Sequence, residues 1–160
     1  MMQCPCGSNL SYSACCEVLH QGKALPQNAE QLMRSRYCAY VLQAIDYIIK
    51  STVPSQQNLL DRQAILTWSK QTKWDGLDVL AHQEKLGKSH AKVEFKAYFL
   101  TSNATSVSVR DAHHERSAFV KIAERWYFID PTVALPTMKQ PCICCSQKKF
   151  KQCCYPYLMR

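Results

Sequence analysis

Two short stretches, "CPCGSNLSYSACC" from Cys4 to Cys16 and "CICCSQKKFKQCC" from Cys142 to Cys154, constrain this chain more than anything else in it. Each reads C-x-C, then eight residues, then C-C, and the second copy repeats the first at a constant offset of 138 residues. Serine recurs at the same place (Ser8, Ser146), and so does an aromatic (Tyr12, Phe150). Four thiolates so close can complete a tetrahedral shell around a metal ion, with Zn–S distances of about 2.3 Å. Such a shell needs a tight turn after the first cysteine pair, and Gly7 supplies the backbone freedom for one. The aromatic can cover the sulfurs. Cysteines acting only as small hydrophobes would need an apolar neighbourhood, which "GSNLSYSA" and "SQKKFKQ" do not provide. A four-sulfur site suits zinc or iron alike, so two Zn²⁺ sites are expected with iron left open.

At 160 residues and 47% hydrophobic, the chain matches one ordinary globular domain with short attachments. No basic and apolar leader opens it, and no uncharged apolar run approaches the ~18 residues of a membrane span. A soluble, cytoplasmic protein is expected. Thiols stay reduced there, so ten cysteines point to metal or redox chemistry rather than a disulfide framework.

The C-P-C-G-S opening with its C-C pair resembles the SEC-C motif, the metal-binding tail of the SecA translocation ATPase. "LMRSRYCAY" (Leu32–Tyr40), "WDGLDVL" (Trp74–Leu80), "VEFKAYF" (Val93–Phe99) and "HERSAFVKIAERWYFID" (His114–Asp130) extend the likeness. The whole chain resembles the bacterial YchJ family of uncharacterised proteins. That resemblance implies Cys4, Cys6, Cys15 and Cys16 as one ligand set, and Cys142, Cys144, Cys153 and Cys154 as the other. It further implies an α+β fold, a cone-like domain of N-terminal helices packed on a curved antiparallel sheet (nuclear-transport-factor-like or cystatin-like), flanked by two zinc knuckles. The expected divisions are 1–27, 28–136 and 137–160, with the central part folding by itself. Two positions depart from the family pattern. Cys145 stands at the turn glycine, leaving open a looser site or a competing ligand, and Pro131 follows Asp130 where glycine is usual.

Of the net charge of +8, residues 137–160 contribute five basic side chains and no acidic one. Lys148, Lys149 and Lys151 either neutralise their own thiolates or present a basic knob to an acidic partner. The SecA-like motif implies docking to an acidic export chaperone or to the ribosome. Sequence-specific nucleic-acid binding is not expected, because no RNA-binding signature with interleaved aromatics occurs.

Between the knuckles the hydrophobic period changes from helical to alternating. Asn28 and Gln31 form a capping box, and Met33, Tyr37, Tyr40, Ala44 and Ile48 carry a helix toward Pro54. A second helix is expected over 58–71, then strands through Leu77–Ala81, Ala91–Phe99, Ser106–Val109, Ser117–Ile122 and Trp126–Ile129. Helices followed by a meander of strands match the α+β class. A cone of this kind often encloses a pocket, for which Tyr40, Asp46, His114, Trp126 and Asp130 are the candidate polar and aromatic lining. Asp130 is either a base in an apolar cavity or a turn cap. His113 and His114 are adjacent, so at most one can face inward. His20 is a spare ligand candidate, Cys38 reads as core, and Arg34 and Arg36 are undecided between solvent and an acidic ligand. With no nucleophile–base pair, phosphate loop or cofactor fingerprint, the leading reading is a metal-stabilised binding module. A small-molecule enzyme or carrier is the alternative, and a redox or metal sensor using Cys145 is the third.

Overall fold

The computed structural model describes residues 1–159. Its helices are α1 (Cys16–His20), α2 (Ala29–Leu42), α3 (Ile45–Lys50), α4 (Arg62–Gln71) and α5 (Tyr155–Leu158). Its strands are β1 (Lys73–Leu86), β2 (His90–Ser102), β3 (Ser108–Ile122) and β4 (Arg125–Phe128), forming one antiparallel sheet in the order β1-β2-β3-β4. Among the described residues no helix is long and apolar enough to cross a membrane.

Helix α2 starts where the capping residues place it, since Asn28 Oδ1 accepts from the Gln31 amide at 2.8 Å. The Gln31 side chain reaches back one residue further than a standard box, accepting from the Gln27 amide at 2.6 Å. The helix ends well short of Pro54, because Gln43 turns left-handed at φ 58° and the chain restarts as α3. The apolar spacing runs through this break because both helices face the same core, where Leu32, Met33 and Ile48 meet Val93, Phe119 and Trp126. The expected helix over 58–71 divides as well. A 3-10 turn spans Pro54–Leu59, Leu60 is extended, and Asp61 caps α4 by accepting from the Ala64 amide at 3.0 Å.

In the sheet, β2 turns Val93, Phe95 and Ala97 toward the helices, with Lys92, Glu94 and Lys96 facing the other way. The two strands expected over 106–109 and 117–122 are one, β3, paired with β2 from Ser102↔Ser108 to His90↔Val120. Its polar middle holds because the outer face pairs its charges across strands: Glu94 meets His114 at 2.6 Å and Arg116 at 3.4 Å. The β3–β4 connection is tight, with Ala123 and Glu124 at φ 49° and 65°, as a two-residue hairpin turn of the primed type requires.

The knuckles are not loose appendages. Cys4, Cys6 and Cys16 pack with Cys38 of α2. The second knuckle shares a core with the sheet: Cys142, Ile143, Cys144, Phe150, Cys153 and Cys154 bury Val53, Ala118, Val120 and Ile129.

Candidate metal centres

Both cysteine clusters are built by the same backbone path. The amide of Cys4 donates to the Leu10 carbonyl at 2.8 Å, and that of Cys142 to Lys148 at 2.9 Å. Short bridges Gln3↔Ser11 and Pro141↔Lys149 close each loop, and a 3-10 turn (Tyr12–Ala14, Phe150–Gln152) delivers the final cysteine pair. Two left-handed residues bend each loop, Gly7 and Asn9 at φ 81° and 65°, Cys145 and Gln147 at 62° and 70°. The equivalence of Gly7 and Cys145 is therefore conformational. Cys145 adopts the turn that glycine makes without strain, and its side chain is exposed outside the cluster. The four clustered sulfurs are those of Cys142, Cys144, Cys153 and Cys154.

In each cluster the four Sγ atoms lie within 4.8 Å of one another. Four sulfurs at about 2.3 Å from one centre would stand about 3.8 Å apart. The observed separations fit that edge: Cys6–Cys15 3.6 Å, Cys15–Cys16 3.9 Å and Cys144–Cys153 3.4 Å. Ser8 and Ser146 Oγ each lie 3.2 Å from the third sulfur, Cys15 or Cys153, close enough to donate to a thiolate.

The thiols have diverging acidities. A hydrogen bond from Cys16 leads in bringing Cys6 down to about 4, while burial raises Cys4 to about 12. Hydrogen bonding to Cys38 and Cys6, with burial, pushes Cys16 up. In the second cluster a hydrogen bond from Cys142 leads in lowering Cys144, burial raises Cys153 to about 11, and hydrogen bonding to Cys142 raises Cys154. Each cluster thus stabilises one thiolate with neighbouring S–H donors. Ionising the other three in so small a space needs a compensating cation.

Outside the sulfurs the two centres differ. Cys4 Sγ stands 3.9 Å from the fully buried Cys38 Sγ, and Arg34 Nη1 donates to the Cys6 carbonyl at 2.8 Å. Cys154 Sγ stands 3.2 Å from His90 Nε2, whose ring stacks on Tyr157 with centroids 4.1 Å apart. Cys38, read as core from the sequence, and His90, which no local pattern marks, each border one cluster without belonging to its four sulfurs. His20 is no ligand. Its Nδ1 bonds the Tyr12 hydroxyl and its Nε2 the Ser35 carbonyl, both at 2.8 Å.

A cavity of about 660 Å³ lies between the helices and the sheet. Tyr40 and Asp130 line it, but the Asp130 carboxylate accepts from the Thr132 amide at 2.8 Å and so caps a turn. The other expected lining residues are elsewhere. Asp46 is on the outside of α3, paired with Arg62 at 2.5 Å. His114 points outward to Glu94, and strand alternation brings His113 inward instead. Trp126 packs in the core beneath Lys121, 5.8 Å from its ring, and does not line the cavity. Arg36, Trp68 and Trp74 line it beside Tyr40, beyond the residues expected from the sequence.

A cone-like α+β domain carrying a four-cysteine centre at each end defines a two-knuckle protein of the nuclear-transport-factor-like class. The model described as "YchJ, middle NTF2-like domain" matches residues 28–131, and the SEC-C motif model matches residues 138–156. The chain belongs to the YchJ family, whose curated members are called UPF0225 proteins. It is 53% identical over 155 residues to one from Actinobacillus succinogenes, covering 97% of both chains. It is 54% identical to one from Haemophilus influenzae, covering 97% of this chain and 93% of that one. A SEC-C motif containing protein from Psychrobacter arcticus superposes with a TM-score of 0.88 at 47% identity, covering 98% of this chain and 97% of that one. Another from Rhodopseudomonas palustris gives 0.71 at 38%, covering 81% and 96%.

Proposed function

We propose that the chain is a cytoplasmic zinc-binding docking module, in which each knuckle holds one Zn²⁺ through its own four cysteines and the second knuckle engages an acidic protein surface. A closed four-sulfur shell leaves no position for substrate, which favours a structural ion over a catalytic one. The observation that carries the docking reading is the outward face of the second knuckle. Lys148, Lys149 and Lys151 are all exposed while the neighbouring thiols turn inward, and among the described residues none is ion-paired. A zinc tetrathiolate carries −2, so five basic residues leave this end at about +3. A protein surface such as that of an acidic export chaperone is favoured over ribosomal RNA, because Phe150, the aromatic among the lysines, is buried and offers bases no stacking face.

Full-length protein purified under reducing conditions is expected to hold about two metal ions per chain, and the Cys4→Ser/Cys6→Ser variant about one. Micromolar-scale binding to an acidic chaperone is expected to weaken as salt rises, since exposed charges are screened within about 10 Å at 0.1 M. Changing Lys148, Lys149 and Lys151 together to Gln should weaken it at least ~10-fold with metal content unchanged. Metal-free protein would remove the first half of the reading. Chaperone binding indifferent to the lysines, or seen only with ribosomes, would remove the second.

A further inference from the structure

The central cavity is bordered by a buried charge that has no ion-pair partner among the described residues. Arg36, on the inner face of α2, is only 8% exposed. Its Nη1 donates to the Ile48 carbonyl (2.8 Å), Ser51 Oγ (2.7 Å) and Thr52 Oγ1 (3.2 Å), and its guanidinium lies 4.2 Å from the Phe128 ring centre. These are neutral partners. Among the described residues no carboxylate comes within ion-pair distance of Arg36, and Nε and Nη2 make no hydrogen bond. Arginine is seldom this buried without a counter-charge, because desolvating the cation is costly. One turn along the same face, the hydroxyl of the half-buried Tyr40 also makes no hydrogen bond with the described residues, although a tyrosine in the interior usually finds a partner. Two donors with unused capacity therefore border one cavity.

The rest of the lining narrows what could satisfy them. Trp68 and Trp74 meet edge-on with centroids 5.3 Å apart, Tyr40 lies 5.2 Å from Trp68, and His113 lies 5.4 Å from it. Phe95 and Phe128 complete an aromatic wall. Of the acidic lining residues, Asp130 and Glu115 favour the charged form of Arg36 from a distance but neither reaches ion-pair range. Asp61 and Glu115 are exposed, and Asp130 is held by its turn. At about 660 Å³ the cavity is within the ~300–1,000 Å³ range of small-molecule sites. We propose that this cavity binds a planar aromatic carboxylate, with the carboxylate on Arg36 and Tyr40 and the ring against the tryptophan wall. This site is separate from the metal centres and does not depend on the docking reading.

The test is calorimetric titration of the metal-loaded, full-length protein with 2-naphthoate, alongside 2-naphthalenemethanol and 2-naphthylmethylamine as neutral and cationic counterparts of the same ring. Saturable one-to-one binding of naphthoate is expected, at least ~10-fold tighter than either counterpart, as a charge-assisted hydrogen bond implies. Tyr40→Phe should weaken naphthoate about 10-fold. Ala97→Phe, which fills the cavity from the sheet side, should abolish binding while circular dichroism and metal content stay unchanged. Arg36 also ties α2 to the end of α3, so loss of binding in Arg36→Gln would not separate ligand contact from folding, whereas Tyr40→Phe and Ala97→Phe do. The proposal is overturned if naphthoate shows no saturable binding at millimolar concentration, if the alcohol or amine binds as tightly, or if folded Tyr40→Phe or Ala97→Phe protein binds naphthoate unchanged.

Discussion

Replacing Phe150 with Ala tests whether the second knuckle is part of the core. Phe150 is 1% exposed and meets Tyr155 edge-on at 5.6 Å. It belongs to the cluster that covers Val53, Val120 and Ile129, themselves 0%, 1% and 0% exposed. Truncating a fully buried Phe costs about 3–5 kcal/mol, through lost transfer energy and an unfilled cavity. That is a large share of the ~5–15 kcal/mol that holds a domain together. The equivalent change in the first knuckle, Tyr12→Ala, removes a half-buried ring and one hydrogen bond to His20, and should cost about 1–2 kcal/mol. The assay is urea unfolding at a fixed free concentration of the metal the protein is purified with, since an ion stabilises whatever folded state binds it. Tryptophan fluorescence reports the transition, with buried Trp126 on the strand that packs against this cluster. A Phe150→Ala cost below about 1 kcal/mol would refute the shared core. So would faster metal release with an unshifted global transition, because the knuckle would then open without the sheet.

Three other predictions concern the loop turns and a half-buried histidine. Cys145→Gly should stabilise the protein slightly, by less than about 1 kcal/mol, because glycine adopts φ 62° freely but loses more entropy on folding. Gly7→Ala should cost about 1 kcal/mol in the same unfolding assay, from its φ of 81° alone, since the nearest atoms to an added Cβ stand at 3.7 and 3.8 Å. Burial lowers the His20 pKa below its ordinary 6.5, so the native state favours the neutral ring and the unfolded chain takes up the proton first. The stability contributed by that neutral ring is present above about pH 6.5 and is lost as pH falls from there toward the lowered native pKa. His20→Gln should therefore show a shallower loss of stability between pH 7 and 5 than the parent; parallel curves would contradict it.

The sulfur clusters were legible because a repeat carries its own control: each position of one copy has a counterpart 138 residues away, and the structure gives both the same bends. The cavity was less legible. Alternation says that His113 and His114 diverge, but nothing local says which parity faces in; that is decided by the register with β2, Ala97↔His113 and Lys96↔His114. Arg36 sits in an apolar helical stripe, and its burial depends on carbonyl and hydroxyl partners 12 to 16 residues further along the chain. The break at Gln43 has no glycine or proline to mark it, and the polar middle of β3 has no apolar alternation of its own, being held by pairs with Glu94 across the sheet. In each case a tertiary partner outweighed the local pattern.

The same contacts link the metal centres to the cavity. The first knuckle holds α2 through Arg34 on the Cys6 carbonyl and through Cys38 beside Cys4, and α2 carries both Arg36 and Tyr40. The second holds the Pro54–Leu59 turn, where Ser55 donates to the Ile143 carbonyl at 2.6 Å. In that turn the buried Gln56 side chain accepts from the Asp130 amide at 2.9 Å and donates to its carbonyl at 2.8 Å. Leu59, Ile129 and Asp130 all line the cavity. The free energy of metal binding by such knuckles is also folding free energy, so part of it fixes the walls on either side of Arg36. Pre-set walls let a rigid ring bind without first ordering side chains, which is where small-molecule affinity is otherwise lost. The knuckles therefore have a physical role even where they touch nothing outside the chain: their contacts brace two walls of a cavity whose buried cation has no ion-pair partner.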